Sequence, residues 1–400
     1  MALSNAQLQR YAEVLIWGLS VGRPRPIPRY GEVLVNYDIE ALPLAEVLHE
    51  SLIRRGLNVV LRAMSTPIVE RNFFRHSDRR QRKHIASGER ELYANLAGSV
   101  FLHAPSSLTH LQGIDPKSIN DAAVTRKTMR EILNRREEAG KFGWTLCTYP
   151  TMALASQAGL SMRQYTDQVV KACMLNEREP VKRWEEVFRS AIEVKKWLNS
   201  LKIATIRVES DSMDLSINLG EKRLFIGVSG RNIPSFEIFT SPDWRGARGE
   251  YYADQPSFRN GNLVERVRLR FEAGRVVRAD AARGQRFLRE TLSMDAGASR
   301  IGEFSLTDKR FSRIDRFMAD TLFDENYGGK HGNCHIALGS SYTNAYAGDP
   351  AGLDAAARKG LGFNDSALHW DLVNTENKRV SAALRNGKSV CVYEKGMFRI

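Results

Sequence analysis

Long apolar runs are missing from this 400-residue chain; no stretch approaches the eighteen or so consecutive apolar residues that cross a bilayer. Its opening, Met1-Ala2-Leu3-Ser4-Asn5-Ala6-Gln7-Leu8-Gln9-Arg10, lacks a basic region followed by an apolar segment and a small-residue cleavage site. Nothing there directs export, and the expected location is the cytoplasm. Cysteine is scarce as well. Cys147, Cys173, Cys334 and Cys391 lie far apart and form no C-x-x-C pair, which argues against a disulfide framework or a thiolate zinc site and for buried free thiols. No G-x-G-x-x-G follows the first strand-like run and no G-x-x-x-x-G-K-[ST] occurs, so dinucleotide and P-loop chemistry have little support.

What is present describes a globular chain, with 42% hydrophobic and 26% charged residues, long enough for two domains. The net charge is +13, and its densest basic stretch, Arg71 to Arg90, holds Arg75, Arg79, Arg80, Arg82 and Lys83. Glu70, Asp78, Glu89 and Glu91 break up or flank this stretch, and no zinc-finger, RRM or KH signature accompanies it. It reads as a solvated helix face, with an anionic partner as the alternative; nucleic acid is not the expected partner, and no membrane is.

Leu8 to Leu19 carries apolar residues at helical spacing, and Gly31 to Tyr37 is a short β-type run. Pro43 to Arg55 reads as a helix stopped by Gly56, and Leu57 to Leu61 as a further strand. Two more strands, Ser99 to His103 and Gly143 to Tyr149, alternate with helical stretches at Ile119 to Arg136 and Thr151 to Leu160. Such alternation predicts a doubly wound α/β domain on a mainly parallel sheet. Ser161 to Leu201 is helix-rich. Beyond Lys202 the character changes to short alternating runs, Ile203 to Val208, Arg223 to Val228 and Leu263 to Leu269, separated by Gly, Asn and Asp turns. The expected organisation is therefore α/β: a doubly wound domain over residues 1–200 and a β-rich α+β domain over 201–400.

Chemistry concentrates in the second half. His331, His335 and His369 fall within about forty residues that also hold Asp324, Glu325 and Asp371. His369 and Asp371 flank Trp370, and on an extended strand residues two apart share a face, so imidazole and carboxylate can ligate one cation or two adjacent ones. The bland alternative is an exposed strand face. His335 heads an apolar run that becomes small and polar before Tyr342, whose hydroxyl can donate a hydrogen bond. Glu237 and Glu303 stand in unusually apolar settings, and buried carboxylates are costly unless paired or bound to metal.

Taken in order, Asn232-Ile233-Pro234 with Glu237 to Pro242, Asp295 to Phe304, Asp324-Glu325-Asn326 with His335 to Gly339, and His369-Trp370-Asp371 resemble the thermophilic-type aminopeptidases of peptidase family M29. Trp144 with Tyr149-Pro150-Thr151, and Lys171-Ala172-Cys173 followed by Pro180 and Trp184, extend the likeness over nearly the whole chain. The resemblance implies a C-terminal catalytic domain, a homodimer, and two divalent metal ions held by Glu237, Glu303, His335, His369 and Asp371. It places Tyr342 beside them and makes Glu325 a proton carrier. Two features depart from the family pattern. Phe236 stands where a glycine commonly precedes the first glutamate, and the Tyr327–Cys334 stretch is longer and brings in His331.

Three carboxylates and two imidazoles without a thiolate suit Zn²⁺, Co²⁺ or Mn²⁺. Such a pair of ions would activate a water against a peptide bond, and a free α-amine on the substrate would make the enzyme an exopeptidase acting on peptide N-termini. The rival is a non-haem Fe(II) ring-cleaving dioxygenase, in which His335, His369 and Asp371 form a two-His, one-carboxylate triad; it leaves Glu237 and Glu303 without a task. A non-catalytic binding protein on the same scaffold is a further alternative.

Overall fold

The structure, a computed structural model, describes residues 2–400. Its contacts separate two compact units. The first runs to Phe188 and takes back Val228–Ser235 and Met318–Leu322; the second comprises Arg189–Gly227, Phe236–Phe317 and Phe323–Ile400.

In the first unit, Ser4 opens the helix Asn5–Val21 with a capping box closed by Gln7, which satisfies two of the amide groups that a helix start leaves unpaired. Strand β1 (Glu32–Tyr37) leads into the helix Leu42–Arg54, and β2 (Asn58–Ala63) returns parallel to β1. Gly56 makes the reversal between them at φ +76°, a left-handed conformation that glycine adopts without penalty. Strands β3 (Gly98–His103) and β4 (Gly143–Thr148) complete the parallel order β2-β1-β3-β4, and the short strand Asn232–Ile233 adds at the edge of β4. Leu34 packs with Leu96 and Phe142 and against Leu92, Tyr93 and Leu133, while its neighbours Val33 and Val35, pointing to the opposite face, are equally buried. Both faces of β1 are thus covered, as expected of a doubly wound sheet.

The second unit is built from antiparallel sheets. Eight strands form the larger one. The sheet that matters here has the order β8-β7-β6-β5, with β5 (Glu237–Thr240), β6 (Ile301–Thr307), β7 (Asn333–Gly339) and β8 (His369–Asn374), and Ile226–Gly227 on the outer edge of β5. Every residue of β6 and β7 is buried. One face carries Ile238, Phe304, Leu306, Ile336, Leu338, Trp370 and Leu372, each almost wholly out of water, and burial at roughly 1.5–3 kcal/mol per large apolar side chain holds these strands in register.

Two expected strands are shorter than their apolar runs. Of the Arg223 to Val228 run, Ile226–Gly227 forms a strand and Arg223 a lone bridge to Tyr346, and Val228 at φ +46° ends the extended stretch. The run Leu263 to Leu269 divides at Arg266, φ +53°, into strands Asn262–Val264 and Val267–Glu272 that lie in different sheets.

Candidate metal centre

Alternation places the chemistry-bearing residues of these strands on the face opposite the apolar one. The ladder then aligns them in rows. Glu303 faces Ala337, which faces Asp371 on its other side; Ser305 lies between Phe239 and His335; Gly339 faces His369; Glu237 faces Thr307. The register slips by one residue between Ile301 and Glu303, leaving Gly302 as the extra residue of a β-bulge, a device that re-aims a side chain. A Cβ on Gly302 would lie 2.4 Å from the carbonyl oxygens of both Gly339 and Ser340. Only glycine fits there, and the bulge sets the phase in which Glu303 meets the histidines.

Two groups of ligand atoms result, Glu237 with Glu303 and His335, and Glu303 with His369 and Asp371, the atoms of each group lying within 4.8 Å of one another. His335 Nε2 is 3.3 Å from Glu237 Oε2, 3.2 Å from Glu303 Oε1 and 3.8 Å from Asp371 Oδ1. His369 Nε2 is 3.5 Å from Asp371 Oδ1 and 3.8 Å from Glu303 Oε2. Glu303 is common to both groups and presents one oxygen to each histidine.

The surroundings of these groups are those of a cation site. His369 Nδ1 lies 2.9 Å from the carbonyl oxygen of Ser340, which can only accept, so Nδ1 carries the proton and Nε2 turns a lone pair toward two carboxylates. Lone pairs facing lone pairs repel unless a proton or a metal ion lies between them. Glu303 Oε2 is buried and has no hydrogen-bond partner among the described residues. Burial, with the charges of Glu303 and Asp371 beside it, pushes Glu237 up to about 8 against the pull of His335 and a 3.0 Å hydrogen bond from Ser305 Oγ. Burial and then Asp371 push Glu303 well up, and burial lowers His369. Crowded carboxylates and neutral imidazoles of this kind suit a hard or borderline divalent cation.

All five residues read from the sequence as ligands are brought together. His331 is not: it belongs to neither group, and burial and the charges of Lys330, Lys378 and Lys309 lower its pKa. Tyr342 stands at the edge of the group, its ring 4.8 Å from that of His369 and 5.9 Å from that of Phe239. It is 38% exposed, and its N–H donates to Ser241 Oγ. Loss of water around it, and then the carboxylates of Glu303, Asp371, Glu325 and Glu237, push its phenol well up, so the hydroxyl keeps its proton. Glu325 is buried, and its carbonyl accepts from Thr307 Oγ1 and Asn333 Nδ2. Phe236 is fully buried, with its N–H donating to Asn326 Oδ1. Residue-by-residue reasoning missed Gly302, Ala337, Ser305 and the carbonyl of Ser340. Only Ser305, two positions from Glu303, carried a local signal.

Aminopeptidase T of Thermus thermophilus is 28% identical over 400 residues, covering 91% of this chain and 93% of that protein. Aminopeptidase AmpS of Bacillus subtilis is 28% identical over 333 residues, covering 78% of each. The solved structure of wild-type AmpT from Thermus thermophilus superposes with a TM-score of 0.79 at 22% identity over 98% of this chain and 99% of that one, so the fold is shared. The ring-cleaving dioxygenase alternative finds no support in these likenesses. The family described as thermophilic metalloprotease (M29) matches residues 4–398, and the chain belongs to it.

Proposed function

We propose that the protein is a metal-dependent aminopeptidase that removes residues from the N-termini of peptides, using two divalent ions held by Glu237, Glu303, His335, His369 and Asp371. The observation that carries this reading is the position of Glu303, one carboxylate shared by two ligand groups, as a two-ion site requires. Zn²⁺, Co²⁺ and Mn²⁺ fit the donor set. Bound there, the ions would lower the pKa of a water and polarise the scissile carbonyl. Tyr342, held in its protonated form, donates to the carbonyl oxygen as negative charge gathers on it. Glu325, whose charge is felt at Tyr342, carries the proton to the departing amine. Ser305 and the Ser340 carbonyl hold Glu237 and His369 in position. The free α-amine of the peptide is the group from which cleavage is measured. The second half of the chain, residues 201–400, is the catalytic domain, and the working form is a cytoplasmic homodimer.

The test pairs free and N-acetylated copies of one peptide with metal analysis of chelator-free protein. Stepwise release of single residues from the free peptide alone, with nearly two Zn, Co or Mn per chain, is expected. Internal cleavage of the blocked peptide, or one iron per chain, would overturn the reading.

A further inference from the structure

The basic stretch that the peptidase reading does not use lines an open hollow on the surface of the first unit. Helices Arg79–Arg82 and Glu89–Asn95, with the turn between them, bring Arg79, Arg80, Lys83, His84, Ile85 and Arg90 around a widely open surface hollow of about 680 Å³. Five of these six side chains are cationic or can become so, and none is a carboxylate.

Three of the four acids that break up or flank this stretch in the sequence are occupied elsewhere. Glu89 takes two hydrogen bonds from Arg62, at 2.7 and 3.1 Å. Asp78 caps the helix Arg79–Arg82 by accepting from Gln81 N, and Glu70 Oε2 pairs with His110 Nε2 at 2.7 Å. Arg79 has a loose pairing of 3.5 Å with Asp121. The side chains of Arg80, Lys83 and Arg90 have no hydrogen bond or ion pair among the described residues, and all three are exposed. Exposed to water, these cations cost the fold little and remain available to an anion.

We propose that this hollow binds a small anion bearing several adjacent phosphates. Three guanidinium forks suit phosphate oxygens, each offering paired N–H donors, and Lys83 adds a mobile point charge. The hollow is bounded by six residues of one short stretch, the footprint of a small ligand rather than of an extended polymer track. The lining has no aromatic ring to stack a base and no carboxylate to hold a ribose hydroxyl, so the phosphates are the part that is read.

The test measures binding of inorganic tripolyphosphate, ATP and a short DNA duplex to the full chain by calorimetry at about 50 mM salt, where exposed charges are weakly screened. Tripolyphosphate and ATP should bind with affinities within about threefold of each other, since only phosphates are read, and both should weaken as salt rises. The triple variant Arg80→Ala, Lys83→Ala, Arg90→Ala should lose at least about tenfold in affinity for both, with an unchanged melting temperature because its side chains are exposed. Absence of tripolyphosphate binding, or binding untouched by the triple variant, overturns the proposal. Duplex DNA bound more than about tenfold tighter than tripolyphosphate also overturns it, in favour of an open nucleic-acid surface.

Discussion

Ala337 lies directly across the ladder from Glu303 and, on its other side, directly across from Asp371. A single methyl group thus occupies the row between two carboxylates, in a strand that is otherwise close-packed, and it leaves room for ions. Ala337→Val should fill that room while suiting a strand by propensity. Overpacking of this kind costs typically 1–3 kcal/mol, so the variant is expected to fold, with a modestly lowered melting temperature. Metal content should fall well below that of the parent, and peptidase activity with it. Full metal content in Ala337→Val would show that the ions do not occupy this row.

Because Glu303 belongs to both ligand groups, its loss should be felt at both. Glu303→Gln keeps size and removes the shared charge, so both metal equivalents should be lost together. His369→Ala removes a ligand from one group alone, and it should leave close to one equivalent bound. Each variant is expected to reduce turnover by at least about a hundredfold, since loss of groups that only support a ligand already costs about 10–100-fold. Equal metal loss in the two variants would contradict the division into two groups.

The pair His369/Asp371 was legible because a strand's period of two puts alternate residues on one face without any knowledge of the partner strand. The helical spacing of Leu8 to Leu19 and the stop at Gly56 were legible from equally local signals. What brings Glu237 into the group is different in kind: it depends on pairing with Thr307, seventy residues along the chain, and on the bulge at Gly302. Pairing at that separation leaves no trace in local composition. The returns of Val228–Ser235 and Met318–Leu322 to the first unit are equally long-range. Positive φ at Arg266 broke an apolar run at a residue type that announces no turn.

The crowding of Glu237 and Glu303 predicts a specific pH dependence for protein stripped of metal. Glu237 has an ordinary value of 4.5 and is raised to about 8 in the fold. A carboxyl whose pKa is raised by folding contributes stability below its unfolded value and loses it as pH climbs through the folded one. His369, lowered in the fold, acts in the opposite sense below its ordinary 6.5 and is neutral in both states above it. Between about pH 6.5 and 8 that opposition is gone, His103, raised in the fold, acts in the same sense as the carboxyls, and the melting temperature of the stripped protein should fall across that window. Glu237→Gln should flatten the fall. A stripped parent whose melting temperature is level or rising from pH 6.5 to 8 would show that the carboxylates are relieved by something other than protons or metal.

Tyr342 supplies the sharpest kinetic test, since its ring position and its hydroxyl make separate predictions. The ring packs edge-on against His369 and beside Phe239, and phenylalanine preserves those contacts, so Tyr342→Phe should fold and load metal as the parent does. The hydroxyl is held protonated by loss of water and then by the carboxylates around it, which equips it to donate but not to act as a base. A donor aimed at charge that exists only in the transition state lowers kcat and kcat/KM in parallel when removed. The expected loss is about 10²-fold to 10³-fold, or roughly 3–4 kcal/mol, the range for an oxyanion donor. Steady-state kinetics on a free dipeptide measures both constants. A rise in KM with kcat unchanged would make the hydroxyl a uniform substrate contact, and parent-like values of both would leave Tyr342 as packing for His369 alone.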